Sequence, residues 1–398
     1  MDEVLLRTAC PLDCPDACSL EVTLTMGRIT KIDAAPVDEM SNPLTDGWIC
    51  KKVKHHADRV YSPERIMTPL IRIGKKGDGE FRQASWDEAL DLVAAKITDA
   101  VKNYGVDSVL PYLYNSSASK LEANYLTPHL FARLGAPEIL PTICAATYGA
   151  AWDQMFGEML SIDTLDVVDA KLVVVWGANP AVSGTHLLPL LAKVQKAGGK
   201  LVVIDPRATG TASRADLHLA VRPGTDVVLA YALANELVRT NRVDREFIET
   251  HTTGSKEFLA AATKYSLEDA SNICGISLDM VRELAELIAT VKPAVLRMGY
   301  GPERNRNGGS SAATSSFCGS RSAMALAPRS ARPSWFKATE TINAWKARSS
   351  SQSPATRDWS VKNRGTSWLT SIRQKAKPPA YGLLRRSTRT GYSHSTPN

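Results

Sequence analysis

The sequence predicts an α/β protein. A small β-rich segment occupies about residues 1–60, a parallel sheet covered by helices about 61–309, and an irregular basic tail 310–398. Three observations carry this. Lys171-Leu-Val-Val-Val-Trp176 is an unbroken apolar strand that stops at Gly177, leads into a helical stretch over 185–197 and returns as the strand Lys200-Leu-Val-Val-Ile-Asp205. Continuous apolar strands joined by a crossover helix make a βαβ unit with both faces buried, the Rossmann-like arrangement. Nearer the start, Leu20-Glu-Val-Thr-Leu-Thr alternates apolar and polar residues, turns at Met26-Gly27 and resumes in Ile29-Thr-Lys-Ile32, which reads as a β-hairpin. Past about Gly309, helical and strand periodicity both cease.

The remaining elements follow in order. Ser85-Trp-Asp-Glu88 has the capping-box pattern, and Trp86, Leu90, Val93, Ile97 and Val101 recur at helical spacing until Gly105. A strand is expected over 108–114 and a helix over 121–134, closed by Gly135. Further helices are expected over 226–239, around Phe258 and over 277–290, before a last strand at Ala294-Val-Leu-Arg-Met298.

Residues 311–398 are rich in Ser, Arg, Thr, Ala and Pro, yet hold four of the eight tryptophans: Trp335, Trp345, Trp359 and Trp368. A disordered tail is ordinarily poor in aromatics. The segment therefore reads as the product of a reading-frame shift, testable by translating the other two frames beyond the Gly309 codon. A flexible basic extension or a nucleic-acid arm are the alternatives, and charge runs are usually just solvated.

The net charge of +7 belongs to that tail. Residues 311–398 hold 15 Lys/Arg against Glu340 and Asp358, leaving 33 basic and 39 acidic residues, net −6, in the first 310. The basic balance thus gives no reason to expect a nucleic-acid surface on the folded body. The apolar runs are short and bounded by Lys, Gly or Asp, so no membrane span is expected. The N-terminus leads from Met1-Asp-Glu into a cysteine-rich loop without a basic region, an apolar core or a twin arginine, which predicts a cytoplasmic protein.

Four of the seven cysteines, Cys10, Cys14, Cys18 and Cys50, fall within the first 50 residues. The spacing is C-x3-C-x3-C, then 31 residues, then C. Three thiolates on one tight loop and a fourth from elsewhere suit the several-sided grip of an iron–sulfur cubane. Pro11 and Pro15 oppose a regular helix there. Tetrahedral zinc is the rival, but its cysteines usually come as two similar pairs instead of three plus one. Free thiols arranged for a metal also suit a reducing compartment.

With these motifs in view, roughly residues 7 to 309 resemble the molybdopterin (or tungstopterin) oxidoreductases of the dimethyl-sulfoxide-reductase type, which include formate dehydrogenases. The resemblance implies a [4Fe-4S] cluster on Cys10, Cys14, Cys18 and Cys50, with Lys52 lying between cluster and pterin, where a cation would stabilise added electron density. Without it, Lys52 would pass as a surface lysine beside Lys51 and Lys54. In Pro141-Thr-Ile-Cys144-Ala-Ala-Thr-Tyr-Gly149 the family places the metal's protein ligand, here Cys144, and thiolate is a soft donor suited to molybdenum or tungsten. Formate dehydrogenases of this type usually carry histidine directly after that ligand, and Ala145 stands here, which weakens formate as the substrate.

The nucleotide half of the pterin is implied by three segments. Trp176-Gly177-Ala-Asn179-Pro180 lies at the carboxyl end of a parallel strand, where doubly wound sheets bind ligands, and Gly177 would let backbone approach a phosphate. Asp205-Pro-Arg207 ends the next strand, where an acid can accept from ribose hydroxyls. In Arg222-Pro-Gly224-Thr-Asp226, the Asp226 carboxylate suits guanine's paired donors; read alone, it is as readily the N-cap of the next helix. An NAD site is disfavoured because Gly-x-Gly-x-x-Gly is absent after both strong strands. His186 and Cys274 carry no assigned role.

The resemblance implies two-electron chemistry on a small-molecule substrate at a Mo (or W) centre held by bis-molybdopterin guanine dinucleotide and Cys144. Electrons would leave singly through the cluster to an electron-transfer partner. Members of the family are considerably longer, so this chain is expected to be catalytically impaired. The reading from another class is a non-catalytic iron–sulfur or zinc fragment serving electron transfer or assembly.

Overall fold

The computed structural model describes residues 3–113, 126–139, 144–156, 161–251 and 254–311. The chain opens with an antiparallel meander, β1 (Glu3–Ala9), β2 (Ser19–Thr25) and β3 (Arg28–Ala34), in the order β1-β2-β3. Between β2 and β3, Met26 and Gly27 both take positive φ, +50° and +77°, as the two central residues of a type I′ hairpin turn must. The hairpin was expected; β1 was not. Val4, Leu5 and Leu6 form a short run without alternation, and all seven β1 residues are exposed, so no pattern of burial marks it.

Cys50 leads into two short helices, α1 (Lys51–Lys54) and α2 (His56–Val60), then a two-stranded antiparallel ribbon, β4 (Leu70–Arg72) and β5 (Phe81–Gln83). Helix α3 (Trp86–Tyr104) starts where expected. Ser85 Oγ accepts from the Glu88 N–H at 3.1 Å, but the Glu88 carboxylate pairs with Arg82 instead of closing the capping box. Its periodic apolar face is poorly covered among the described residues: Trp86 and Val93 are 63% and 54% exposed, Ile97 and Val101 half-buried.

The strand expected over 108–114 is absent among the described residues. Val106–Ser108 is a 3-10 turn, followed by extended chain without a ladder partner. β-Branched and aromatic residues favour a strand only where one can pair. Of the helix expected over 121–134, α4 (Thr127–Leu134) is described and closes on Gly135 at φ +79°; the preceding part lies outside the described residues, as do 312–398. Helix α5 (Ala146–Phe156) follows Cys144.

The body is a doubly wound sheet. Strand β6 (Leu172–Trp176) leads through α6 (Leu187–Lys196) to β7 (Lys200–Ile204) and on to β8 (Leu217–Leu219). Helices α7 (Asp226–Arg239), α8 (Arg245–His251), α9 (Ser255–Ala262), α10 (Leu267–Cys274) and α11 (Leu278–Thr290) then return the chain to β9 (Ala294–Met298). The order is β8-β7-β6-β9, parallel throughout, with Leu172 opposite both Lys200 and Ala294.

All five β6 side chains are buried because both faces are covered. Leu172, Val174 and Trp176 pack with Leu229, Leu233, Val281 and Leu284 of α7 and α11. Val173 and Val175 pack with Leu187, Leu190, Leu191 and Val194 of α6. Each such side chain contributes about 1.5–3 kcal/mol on burial, so this double layer is the rigid part of the molecule. Strand order reverses between β6 and β9, and in an open α/β sheet the crevice at that reversal, beyond the carboxyl ends, is where ligands bind.

Candidate functional site

The cysteine loop is not helical, as its prolines require. It is closed by the Cys10 N–H donating to the Cys18 carbonyl at 2.8 Å, with Ala17 at φ +42°. Asn42 holds it from outside, its Nδ2 donating to the Asp16 and Ala17 carbonyls at 2.8 and 3.1 Å. Cys10 and Cys50 flank a small apolar core of Cys18, Leu20, Val22, Ile32 and Val53.

The four thiols sense one another. Burial pushes the Cys18 thiol up to about 12, reinforced by the charges of Asp16, Cys10, Cys14 and Cys50. Burial likewise raises Cys10, helped by Cys50 and Cys14, while Lys52 pulls it down. Four partly desolvated thiols, none in a disulfide, suit a metal group that takes them as thiolates. Among the described residues, no three of these sulfurs lie within 4.8 Å of one another.

His186, given no role from the sequence, joins the cysteine loop to the body. It stands just before α6, 2% exposed. Its Nδ1 lies 2.9 Å from Asp16 Oδ2 and its Nε2 3.0 Å from the Trp48 carbonyl, and the Trp48 ring stacks on it at 3.9 Å. Cys18 Sγ sits 3.7 and 4.0 Å from the two ring nitrogens. Lys52 makes a second link, its Nζ donating to the Val182 carbonyl at 2.6 Å. Both links end on the loop between β6 and α6, so the cysteine loop rests on the carboxyl edge of the sheet.

Cys144 reaches the same edge from the other side. Its carbonyl accepts from the Arg304 guanidinium, and Glu303, buried, accepts the Tyr148 N–H of α5 through Oε2 at 2.6 Å. The turn carrying Glu303 and Arg304 follows β9 and packs on the end of β6. A Cβ on Gly177 would stand 2.3 Å from Pro302 Cδ, and one on Gly299 would stand 2.4 Å from the Gly177 carbonyl. Gly177, at φ +62°, is required by this chain's own packing, because Pro302 occupies the space a Cβ would take.

The expected nucleotide segments lie along this edge with their side chains differently engaged. Trp176 is fully enclosed, its carbonyl accepting the Gly299 N–H at 2.8 Å and its indole Nε1 donating to Asp226 Oδ1 at 2.7 Å. Asp226 is the first residue of α7 and Thr225 is the N-cap, which replaces the capping reading of Asp226. Burial pushes the Asp226 carboxyl up, the indole bond lowers it, and the Asp205 charge raises it. Asn179 Oδ1 accepts from Thr211 Oγ1 at 2.7 Å, and Asp205 Oδ1 accepts from the Arg207 N–H at 2.8 Å, leaving the Arg207 side chain exposed. Arg222 turns away to the Asn272 carbonyl at 3.2 Å. Gly224, at φ +83°, meets Asn305, and its carbonyl accepts from Asn307 Nδ2 at 3.0 Å. Cys274 is a packing residue, its Sγ 3.6 Å from the Thr225 carbonyl.

Sequence reasoning missed Asp16, Trp48, His186, Glu303, Arg304, Asn305 and Asn307, whose partners lie far away in the chain. The one local signal was position: Asp16 sits inside the cysteine loop, His186 just beyond a strand end.

A family model described as molybdopterin oxidoreductase matches residues 65–344, and one described as molybdopterin oxidoreductase Fe4S4 domain matches residues 4–62. The first runs past Gly309, where periodicity ceases. Probable oxidoreductase YoaE of Bacillus subtilis is 32% identical, covering 77% of this chain and 44% of that protein. Dimethyl sulfoxide reductase DmsA of Escherichia coli is 30% identical, covering 77% and 42%. The F420-dependent formate dehydrogenase 1 subunit alpha of Methanococcus maripaludis is 30% identical, covering 74% and 42%. Among solved structures, acetylene hydratase from Pelobacter acetylenicus superposes with a TM-score of 0.65 at 23% identity, covering 78% of this chain and 42% of that one, a likeness of fold. The chain spans less than half the length of each.

Proposed function

The chain belongs to the molybdopterin oxidoreductase family, and from that premise we propose that it is the cluster-bearing, pterin-binding half of a two-electron oxidoreductase. The carrying observation is convergence. The cysteine loop, through His186 and Lys52, and the Cys144 loop, through Arg304, meet at the carboxyl edge where strand order reverses. Two motifs distant in sequence thus meet at the strand edge where open α/β sheets bind ligands.

In this reading Cys10, Cys14, Cys18 and Cys50 hold a [4Fe-4S] cluster, and Cys144 is the protein ligand of molybdenum or tungsten. Cys144 would hold the metal, which would supply two-electron chemistry, and the four cysteines would hold the cluster that carries single electrons. The pterin is the bis-molybdopterin guanine dinucleotide form. Asp205 and Arg207 are open to ribose and phosphate, and Asp226 keeps Oδ2 for guanine donors. Gly177, Asn179 and Gly224 shape the backbone between them, the Trp176 indole orients the Asp226 carboxylate, and Arg222 braces the loop against α10. Lys52, fixed on Val182, would lend its charge to favour an added electron on the cluster.

The substrate is a small molecule and a partner protein takes the electrons, as the naming of one relative as a dehydrogenase subunit supports. Ala145, where formate dehydrogenases of this type usually carry histidine, weakens formate as the substrate. No helix among the described residues is long and apolar enough to cross a membrane, and the cytoplasm is the proposed compartment. The test is anaerobic purification of the chain with analysis of iron, sulfide, molybdenum, tungsten and released nucleotide. Iron and sulfide in equal amounts with a guanine nucleotide support the reading. Iron and sulfide alone leave the iron–sulfur fragment, and zinc alone overturns the cluster.

A further inference from the structure

The body of the protein inserts one side chain into the cysteine loop, and it is polar and enclosed. Asp16, Cys18 and His186 are 4%, 4% and 2% exposed, and together they are the one group of metal-ligating side chains within 4.8 Å among the described residues. Burying a carboxylate and an imidazole costs several kcal/mol unless both are well partnered. Here they are. Asp16 Oδ2 faces His186 twice, accepting its backbone N–H at 3.2 Å and lying 2.9 Å from Nδ1. The far side of the ring is held by the Trp48 carbonyl at 3.0 Å, and its face by the Trp48 indole. Gly184, two residues before His186, faces the loop: a Cβ there would make ordinary contact, 3.5 Å from Pro15 Cγ and 3.6 Å from Asp16 Oδ1.

Cys18, Asp16 and Trp48 belong to the N-terminal segment, whereas His186 comes from the loop after β6 at the switch point. A cluster on these cysteines would have an anionic carboxylate beside one ligand sulfur and a body-borne donor neutralising it. Charge and hydrogen bonding around ligand sulfurs set the potential of iron–sulfur centres. An exposed lysine could have provided charge without these desolvation costs.

We propose that His186 is a positioning residue for the cluster: it screens the Asp16 carboxylate from the Cys18 sulfur and thereby sets the cluster's reduction potential from the pterin side of the molecule. Removing the screen exposes the sulfur to a full negative charge and disfavours the added electron. Removing the carboxylate does the reverse. Because His186 acts through Asp16, the two effects are coupled rather than additive.

This inference rests on the cluster assignment, and the test separates the two. The full chain and its His186→Gln, Asp16→Asn and double variants are purified anaerobically, assayed for iron and sulfide, and titrated redox-potentiometrically with electron paramagnetic resonance as the readout. His186→Gln should lower the midpoint potential at unchanged iron content, Asp16→Asn should raise it, and His186→Gln should produce little shift in the Asp16→Asn background. A potential unmoved by His186→Gln, or an equal shift in both backgrounds, overturns the proposal. Loss of the cluster from both single variants would assign the pair a structural role only and also overturn it. An unmodified chain without iron would instead defeat the cluster assignment.

Discussion

Trp176→Phe isolates the bond that connects the sheet core to the proposed pterin edge. Trp176 is 1% exposed and Asp226 6%, and their 2.7 Å contact is the largest influence that favours the ionised carboxylate. Phenylalanine keeps an aromatic ring but has no N–H. A hydrogen bond to a buried charged group contributes about 1.5–3 kcal/mol. The smaller ring forfeits about 1 kcal/mol of apolar burial.

The sign with pH follows from the direction of the Asp226 shift. Burial raises its folded-state value above the unfolded 3.8, so between the two the folded protein binds more protons and stability falls as pH rises. Trp176→Phe raises the folded value further. Its cost should therefore be smallest below the unfolded range, where the carboxyl is neutral in both states, and largest above the folded one. Urea unfolding of the full chain at low and neutral pH, followed by circular dichroism, measures this. In an Asp226→Asn background the pH-dependent part should vanish. A cost equal at both pH values, or undiminished in that background, would refute the assignment.

Gly177→Ala must place a methyl 2.3 Å from Pro302 Cδ at φ +62° and should destabilise by about 2–4 kcal/mol, readable as a lowered thermal midpoint. Cys50→Ser should abolish the cluster's visible absorption and most bound iron, because it removes the ligand proposed from the separate segment. Cys144→Ser should leave iron and sulfide unchanged while altering molybdenum or tungsten content, because a hydroxyl is a harder donor than thiolate; a change in iron instead would place Cys144 in the cluster site.

The body of the sheet was legible because strands buried on both faces must be apolar at every position. Lys171 to Trp176 and Lys200 to Asp205 can be little else, and the helix between them dictates parallel pairing. The spaced cysteines were legible too, because ligand spacing is local chemistry. Elements without a burial pattern were not: β1 is exposed throughout, and residues 108–113 are strand-like without a neighbour to pair with among the described residues.

Composition and spacing by themselves determined the α/β class, the thiolate-rich loop and which strand ends to inspect. Only the tertiary structure decided what each side chain there does. It turned Trp176 inward to Asp226, gave the space over Gly177 to Pro302, and drew His186 across 168 residues of chain to Cys18. The physical reason is that periodicity reports burial against an element's neighbours in general. A hydrogen bond between two buried polar groups depends on one particular partner, and folding, not spacing, supplies it.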